Sequence, residues 1–333
     1  MEKSKLKNLL GINFDKAETL SSNMNYVYRV KNFLGHNSVI LKAVPDNGSL
    51  ARFPHLRLSA ERLKWDTDFN KFANDIMAPV QICPEIYMKD PQHRFFLMED
   101  LGSSNLRTIL RNAKPEQVSG IKQVLEKLAI KLSSFYLRQN TITPINNSLL
   151  EAHYYHIFEV PLFQQEEARN FWLESGLREN EIKRMQEWQA RFMEMSLSRT
   201  PLNFLDKGEF LLHGDLHTNS IVIKNNEAFL IDGEFSHSGN IAFDIGMLLA
   251  NIVIDLSIAG IQDYNYDQKL LEIFIGELAL ENIHEIKIVM LHEIIRQNIG
   301  ASFSVPVTAE KSRENLYKSI KELNSDLCNH SFS

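Results

Sequence analysis

The sequence predicts a two-lobed α+β fold, with a small antiparallel sheet in the N-terminal lobe and a large, mostly helical C-terminal lobe. Three observations predict it. The first hundred residues carry β-branched and aromatic runs separated by turn residues, which is the pattern of strands and hairpins. Farther along, apolar residues recur at spacings of three and four, the mark of amphipathic helices. Between the two regions lies Glu99-Asp100-Leu101-Gly102-Ser103-Ser104, a polar connector containing a glycine. The expected division is therefore an N-terminal lobe over 1–100, a hinge near 99–104 and a C-terminal lobe over 105–333.

In the first lobe, residues 25–31 and 38–44 read as strands joined by a turn over 32–37 that contains Gly35. A helix over 58–72 places Leu58, Leu63 and Phe69 among its apolar positions. Strands over 85–89 and 94–98 flank the turn Asp90-Pro91-Gln92. In the second lobe Ile121, Val124, Leu125, Leu128, Leu132 and Phe135 predict one long amphipathic helix. Phe171, Trp172 and Leu177, and then Ile182, Met185, Trp188 and Phe192, predict two more. Strands over 209–212, 221–223 and 228–231 interrupt the helical pattern, and the last two are joined at Asn225-Asn226. Helices resume from Phe243, and a surface helix is expected over 311–327.

Composition narrows the classes of function. Of the 333 residues, 44% are hydrophobic and 23% charged, as in an ordinary globular protein. A formal net charge of -6 speaks against a nucleic-acid partner, which would call for a basic face. Cys83 and Cys328 lie far apart, without metal-type spacing, and fit a reducing compartment. The most apolar window, 241–256, is broken by Asp244 and Asn251 and is too short to span a bilayer, so it reads as a buried helix. No apolar stretch of signal-peptide length follows the start, and the expectation is a cytoplasmic protein without membrane contact.

The chemistry concentrates in His213-Gly214-Asp215-Leu216-His217-Thr218-Asn219-Ser220 and, beyond a hairpin, Asp232-Gly233-Glu234-Phe235. Carboxylates on neighbouring strand ends are what a magnesium-nucleotide phosphotransferase needs. One accepts a hydroxyl proton and others hold metal on the triphosphate. Asp215 is the candidate base; at an unperturbed pKa near ~4 it is ionised at neutral pH. Asp232 and Glu234 are the candidate magnesium ligands, since magnesium takes few protein carboxylates and shares phosphate oxygens and waters. His213 reads as a brace of the loop, and Asp244 as an acceptor for its backbone N–H groups.

Lys42 sits inside the apolar strand Val39-Ile40-Leu41-Lys42-Ala43-Val44, where a charge needs a partner. The expectation is that it holds nucleotide phosphates and pairs with Glu61 on the following helix. Ser21-Ser22-Asn23-Met24-Asn25-Tyr26, at the first turn, is the candidate phosphate-covering segment, with no glycine.

These motifs resemble the aminoglycoside-phosphotransferase and choline-kinase-like superfamily of protein-kinase-like folds, and within it the 5-methylthioribose kinases. The likeness to the latter covers residues 212–221, with Ser220 where most of the superfamily carries asparagine, and 232–235, with glycine in place of proline. It extends to 23–30 and to the approach from Pro84-Glu85-Ile86-Tyr87 to Met98-Glu99-Asp100-Leu101. The resemblance implies ATP and Mg2+ as cofactors, with backbone groups around Glu99 and Leu101 on the adenine edge and Asn25 near the phosphates. Glu293-Ile294-Ile295-Arg296-Gln297-Asn298-Ile299-Gly300 resembles a late helix on which that family places two adjacent arginines at the sugar site. Arg296 keeps the first and Gln297 replaces the second, which removes a bidentate donor fork. The implied partner is a small hydroxyl acceptor, either 5-methylthioribose or a close ribose analogue, and the family expectation is a homodimer. The alternatives are an aminoglycoside- or choline-type acceptor, or nucleotide binding without turnover.

Overall fold

The computed structural model describes residues 3–12, 17–20, 25–45, 61–139, 210–261, 265–280 and 283–299, with isolated positions at 59, 173, 178–180, 182–183, 187, 318–320 and 322–323. The N-terminal part is a five-stranded antiparallel sheet of order β1-β2-β3-β5-β4. Its strands are β1 (Glu18–Leu20), β2 (Tyr26–Phe33), β3 (His36–Ala43), β4 (Ile86–Asp90) and β5 (Phe95–Glu99). Helix α1 (Lys3–Leu10) covers one face and α2 (Arg62–Met77) the other.

Alternation along β3 decides which side chain faces which helix. Val39, Leu41 and Ala43 join Leu6, Tyr28 and Leu97 in the core under α1. Ile40 and Val44 join Leu63, Phe96 and Met98 on the α2 side. Lys42, between Ile40 and Val44 in that alternation, is thereby turned toward α2.

The sequence pattern does not anticipate α1 or β1, and two further elements of this part differ from the expectation. The β2–β3 connection is not a six-residue turn, because pairing continues to Phe33↔His36 and leaves only Leu34 and Gly35 between the strands. Both have positive φ, at 51 and 80, which is what a type I′ turn requires and what matches the twist of a two-residue hairpin. The helix expected over 58–72 runs over Arg62–Met77.

After β5 the connector enters α3 (Leu106–Arg111), capped by Asn105, whose side chain accepts from the Thr108 N–H at 2.8 Å. The long helix α4 (Val118–Leu137) follows, burying Ile121, Leu125, Leu128, Leu132 and Phe135. Strand β6 (Phe210–Leu212) pairs with β9 (His237–Gly239), a strand that the sequence pattern does not reveal. Between them β7 (Ile221–Lys224) and β8 (Glu227–Leu230) form a hairpin. The chain then enters α5 (Ala242–Ile258), α6 (Asn265–Leu278) and α7 (His284–Ile299). Helix α5 is buried around nearly its whole circumference and packs on α7 and α3. No helix among the described residues is long and apolar enough to cross a membrane. The helices expected over 171–192 and 311–327 lie outside the continuously described residues.

Leu34 occupies a left-handed conformation in which a β-carbon is disfavoured, and it is exposed. Leu34→Asn, giving the preferred Asn-Gly pair, is expected to stabilise the protein by about 0.5–1 kcal/mol. Urea denaturation checks it, and a loss of stability would rule out the positive-φ turn.

Candidate active site

A fully buried cation is compensated at Lys42. Its side chain is 1% exposed, and Nζ lies 2.6 Å from Asp66 Oδ2 and 2.6 Å from Asp232 Oδ1. Burial acts to lower the lysine pKa, but Asp232, Asp66 and Glu234 outweigh it, and the net displacement is upward. Asp66 also accepts the Gly233 N–H on Oδ1 at 3.0 Å, so one carboxylate joins the sheet lysine to the loop after β8. Glu61, the partner expected from sequence, is exposed at the N-cap of α2. The partner is Asp66, more than a turn farther along, because only the buried face of α2 reaches Lys42.

Asp232 stands at φ 64, a left-handed conformation that aspartate tolerates, and its side chain is 40% exposed. Burial raises its pKa, Lys42 outweighs burial, and the carboxyl ends below the usual range. Gly233 packs against Phe69, where an added β-carbon would come within 2.5 Å of the ring. Glu234 is buried and lies 3.5 Å from the Arg62 guanidinium. Asn25 completes this group: Nδ2 donates to Glu234 Oε2 at 3.3 Å, and Oδ1 accepts from Arg62 Nε at 3.1 Å. Asn25, at the start of β2, and the acidic loop are thus fastened through one buried guanidinium.

The loop 213–220 is held from below. Asp244, at the start of α5, accepts the His213 N–H at 2.7 Å, the Gly214 N–H at 3.0 Å and the Tyr136 hydroxyl at 2.9 Å. His213 Nδ1 accepts the Asp215 N–H at 3.4 Å, which assigns the proton to Nε2, donated to the Ile231 carbonyl at 2.8 Å. Gly214 has φ +81, and an added β-carbon would lie 2.1 Å from the Phe235 carbonyl oxygen, so only glycine fits.

Around Asp215, Ser220 is buried and its hydroxyl lies 3.0 Å from the Asp215 carbonyl and 2.7 Å from His217 Nδ1. His217 Nδ1 also accepts the Ser220 N–H at 3.0 Å, which leaves the proton on Nε2, 3.5 Å from Asp215 Oδ2. Desolvation, together with Arg107 and His213, lowers the His217 pKa against the pull of Asp215. A neutral His217 therefore offers an N–H toward the carboxylate.

The hinge segment is clamped to the sheet. Asp100 accepts from Arg29 Nε at 2.7 Å and from Ser38 Oγ at 2.6 Å. Glu99 accepts from Lys224 Nζ at 2.8 Å and from Gln81 Nε2 at 2.7 Å. Leu101 is buried, and its backbone N–H and carbonyl enter no hydrogen bond among the described residues. Arg296 and Gln297 lie on α7 and are buried. Arg296 forks onto Glu293 at 2.6 and 2.9 Å, and Gln297 donates to the same carboxylate at 2.7 Å.

The sequence reading did not pick out Asp66, Arg62 or Asp255. The signal was present in α2, where Arg62, Asp66 and Asn70 recur every fourth residue on the buried stripe that also carries Leu63, Phe69 and Ala73.

A model of the ecdysteroid kinase-like family matches residues 67–259, more than half of the chain. The chain belongs to this family. The match takes in α2 from Thr67, the hinge, the loop 213–220, the acidic loop and α5. The methylthioribose kinase of Exiguobacterium sibiricum is 29% identical over 268 residues, covering 76% of this chain and 64% of the relative. That of Geobacillus kaustophilus is 30% identical over 183 residues, covering 53% of this chain and 45% of the relative. The chain thus spans less than two thirds of the length of these relatives. Among solved structures, a choline kinase of Cryptosporidium parvum matches with a TM-score of 0.56 at 14% identity, covering 98% of this chain and 97% of that one. This ecdysteroid kinase-like protein has the two-lobed protein-kinase-like fold of that structure.

Lys42→Met leaves Asp66 buried opposite Asp232 without its cation and is expected to cost about 3–5 kcal/mol. Adding Asp66→Leu is expected to recover most of that loss. Denaturant unfolding of both variants checks it, and a Lys42→Met cost below about 1 kcal/mol would show that the pair is not buried as described.

Proposed function

We propose that this protein is an ATP- and magnesium-dependent kinase of a small hydroxyl-bearing molecule, and that 5-methylthioribose or a close ribose analogue is its acceptor. One observation carries the reading. The lysine of β3 and the acid that follows β8, 190 residues apart, meet at 2.6 Å, and His217, 3.5 Å from Asp215, lies within electrostatic reach of that acid. Chemistry on a triphosphate needs that convergence of a fixed cation, a metal-binding acid and a base.

In this reading the N-terminal lobe, 1–100, takes the nucleotide. Leu101 and Glu99 offer the backbone edge to adenine, and the unengaged N–H and carbonyl of Leu101 support it. Lys42 gathers negative charge from the phosphates. The partly exposed carboxylate of Asp232 and the buried one of Glu234 suit magnesium, which needs one or two carboxylates and no closed protein cage. When bound, the metal neutralises charge on the transferring phosphoryl group. The C-terminal lobe, 105–333, holds the acceptor. Asp215 orients the acceptor hydroxyl and takes its proton, while the His217 N–H fixes the carboxylate and the Ser220 hydroxyl fixes the backbone behind it.

The acceptor proposal rests on the names of the relatives. Methylthioribose and ecdysteroids are both neutral polyhydroxy compounds with an apolar part, and a pocket for either combines polar contacts with an apolar wall. The solved structure of amicoumacin kinase with AMP-PNP and Ca2+ shares this fold at a TM-score of 0.53 and 12% identity, and it supports a nucleotide and a divalent ion in the cleft.

A coupled ATP-consumption assay with 5-methylthioribose, ribose, choline, homoserine and kanamycin tests the reading. Wild type is expected to turn over methylthioribose, and Asp215→Ala to lose at least ~100-fold in kcat while still binding Mg-ATP. Full activity of that variant would remove Asp215 from the chemistry. Turnover of choline or kanamycin alone would keep the reaction and discard the acceptor. Gln297→Arg is expected to lower KM for methylthioribose, since it restores the donor fork beside Arg296.

A further inference from the structure

The loop 213–220 has a second charged neighbour, Arg107, within electrostatic reach of Asp215 and His217. Arg107 projects from α3 toward α5 and α7, with its side chain 25% exposed. A guanidinium carries five N–H donors. Among the described residues Arg107 makes one hydrogen bond, from Nη2 to Asn251 Oδ1, and that bond is long at 3.3 Å. Its Nε is buried and has no hydrogen-bond partner.

The reason is that both nearby carboxylates are already occupied. Asp255 Oδ1 accepts from Arg111 Nε at 2.6 Å, and Oδ2 accepts from the Thr218 hydroxyl, which leaves Arg107 Nε an ion pair with Oδ2 at 3.8 Å but no hydrogen bond. Glu293 Oε1 receives Asn251, Arg296 and Gln297 at 3.1, 2.9 and 2.7 Å, and Oε2 receives Arg296 at 2.6 Å. Arg296, the arginine that the sequence pointed to, is therefore neutralised, while Arg107 is desolvated without matching bonds. Burial lowers its pKa despite Asp255; Arg111 adds to the lowering, and Glu293 and Asp215 oppose it. A guanidinium in that condition, within electrostatic reach of Asp215, is a donor site awaiting oxygens.

We propose that Arg107 is the acceptor-recognition cation of this site, donating to the oxygens of a neutral or anionic polyhydroxy molecule beside Asp215 and disfavouring cationic acceptors. The inference rests on the kinase reading for the meaning of acceptor, but the oxygen-binding role stands on the geometry alone. Arg107 supplies, from a different helix, the guanidinium that Gln297 does not.

Two measurements test it. The first is steady-state kinetics of Arg107→Gln and Arg107→Lys on whichever acceptor the wild type uses, with folding checked by thermal unfolding. Arg107→Gln is expected to raise acceptor KM at least ~10-fold while ATP KM moves less than about 2-fold, and Arg107→Lys to recover part of the loss. The second does not need turnover: the Nε–H resonance of Arg107, assigned with Arg107→Lys, is followed during titration with inorganic phosphate and with ribose. A saturable shift is expected with each.

An Arg107 resonance that ignores phosphate and sugar, together with an unmoved acceptor KM, overturns the proposal and leaves the kinase reading intact. Wild-type preference for choline or kanamycin also overturns it. Absence of turnover on every acceptor, with a saturable shift at Arg107, removes the kinase reading and retains the oxygen-binding site. Absence of both removes both.

Discussion

The buried ammonium of Lys42 is the constraint on which the site depends. A charge at that depth survives only where opposite charges and hydrogen bonds replace water, and here Asp66 and Asp232 both lie at 2.6 Å. Meeting the requirement fixes three separate elements relative to one another: β3, α2 and the loop after β8. The Asp66–Gly233 hydrogen bond closes the triangle. Arg62 repeats the principle one turn away, with Asn25 and Glu234 around it. The sheet therefore does more than carry residues toward the cleft, because its registration against the C-terminal part is set by ion pairs that also form the nucleotide side of the proposed site.

The loop 213–220 lies between two charged networks of opposite design. Around Lys42 and Arg62 the cations are buried and compensated, and they hold acids in place. In the other network Asp255 and Glu293 are saturated by Thr218, Arg111, Arg296 and Gln297, and Arg107 is the cation left with unmade bonds. The loop is tied to both sides and to the floor: Asp244 receives two of its backbone N–H groups, and Asp255 receives the Thr218 hydroxyl. Because α5 carries Asp244, Asn251 and Asp255, one buried helix positions the loop and also carries the groups that meet Arg107 and Arg111. Polar groups inside so apolar a helix are costly unless bonded, and the bonds they make are those that order the loop.

Local chemistry made much of this legible in advance. The hairpins of the small sheet, the long helix α4 and the β7–β8 hairpin follow from side-chain periodicity, and the structure contains each. The residues of 213–220 and 232–235 are contiguous in sequence, so their proximity needed only the hairpin between them. The helix partner of Lys42 was different. Glu61 and Asp66 are both acids on or beside one helix, and choosing between them requires the angle at which α2 crosses the sheet. The spacing of α2 places Asp66 with Leu63 and Phe69 on its buried stripe, but which strand that stripe meets is set by packing.

By itself, then, the sequence determined the main hairpins, the helix α4 and which short motifs carry acids, because those properties depend on neighbours a few residues away. The tertiary structure alone decided the pairing of charges: Lys42 with Asp66 and Asp232, Arg62 with Glu234, Arg296 with Glu293, and Arg107 with Asp255 only at 3.8 Å and without a hydrogen bond from Nε. Charges interact through space over a few ångströms, and those distances exist only once elements separated by up to 190 residues have packed.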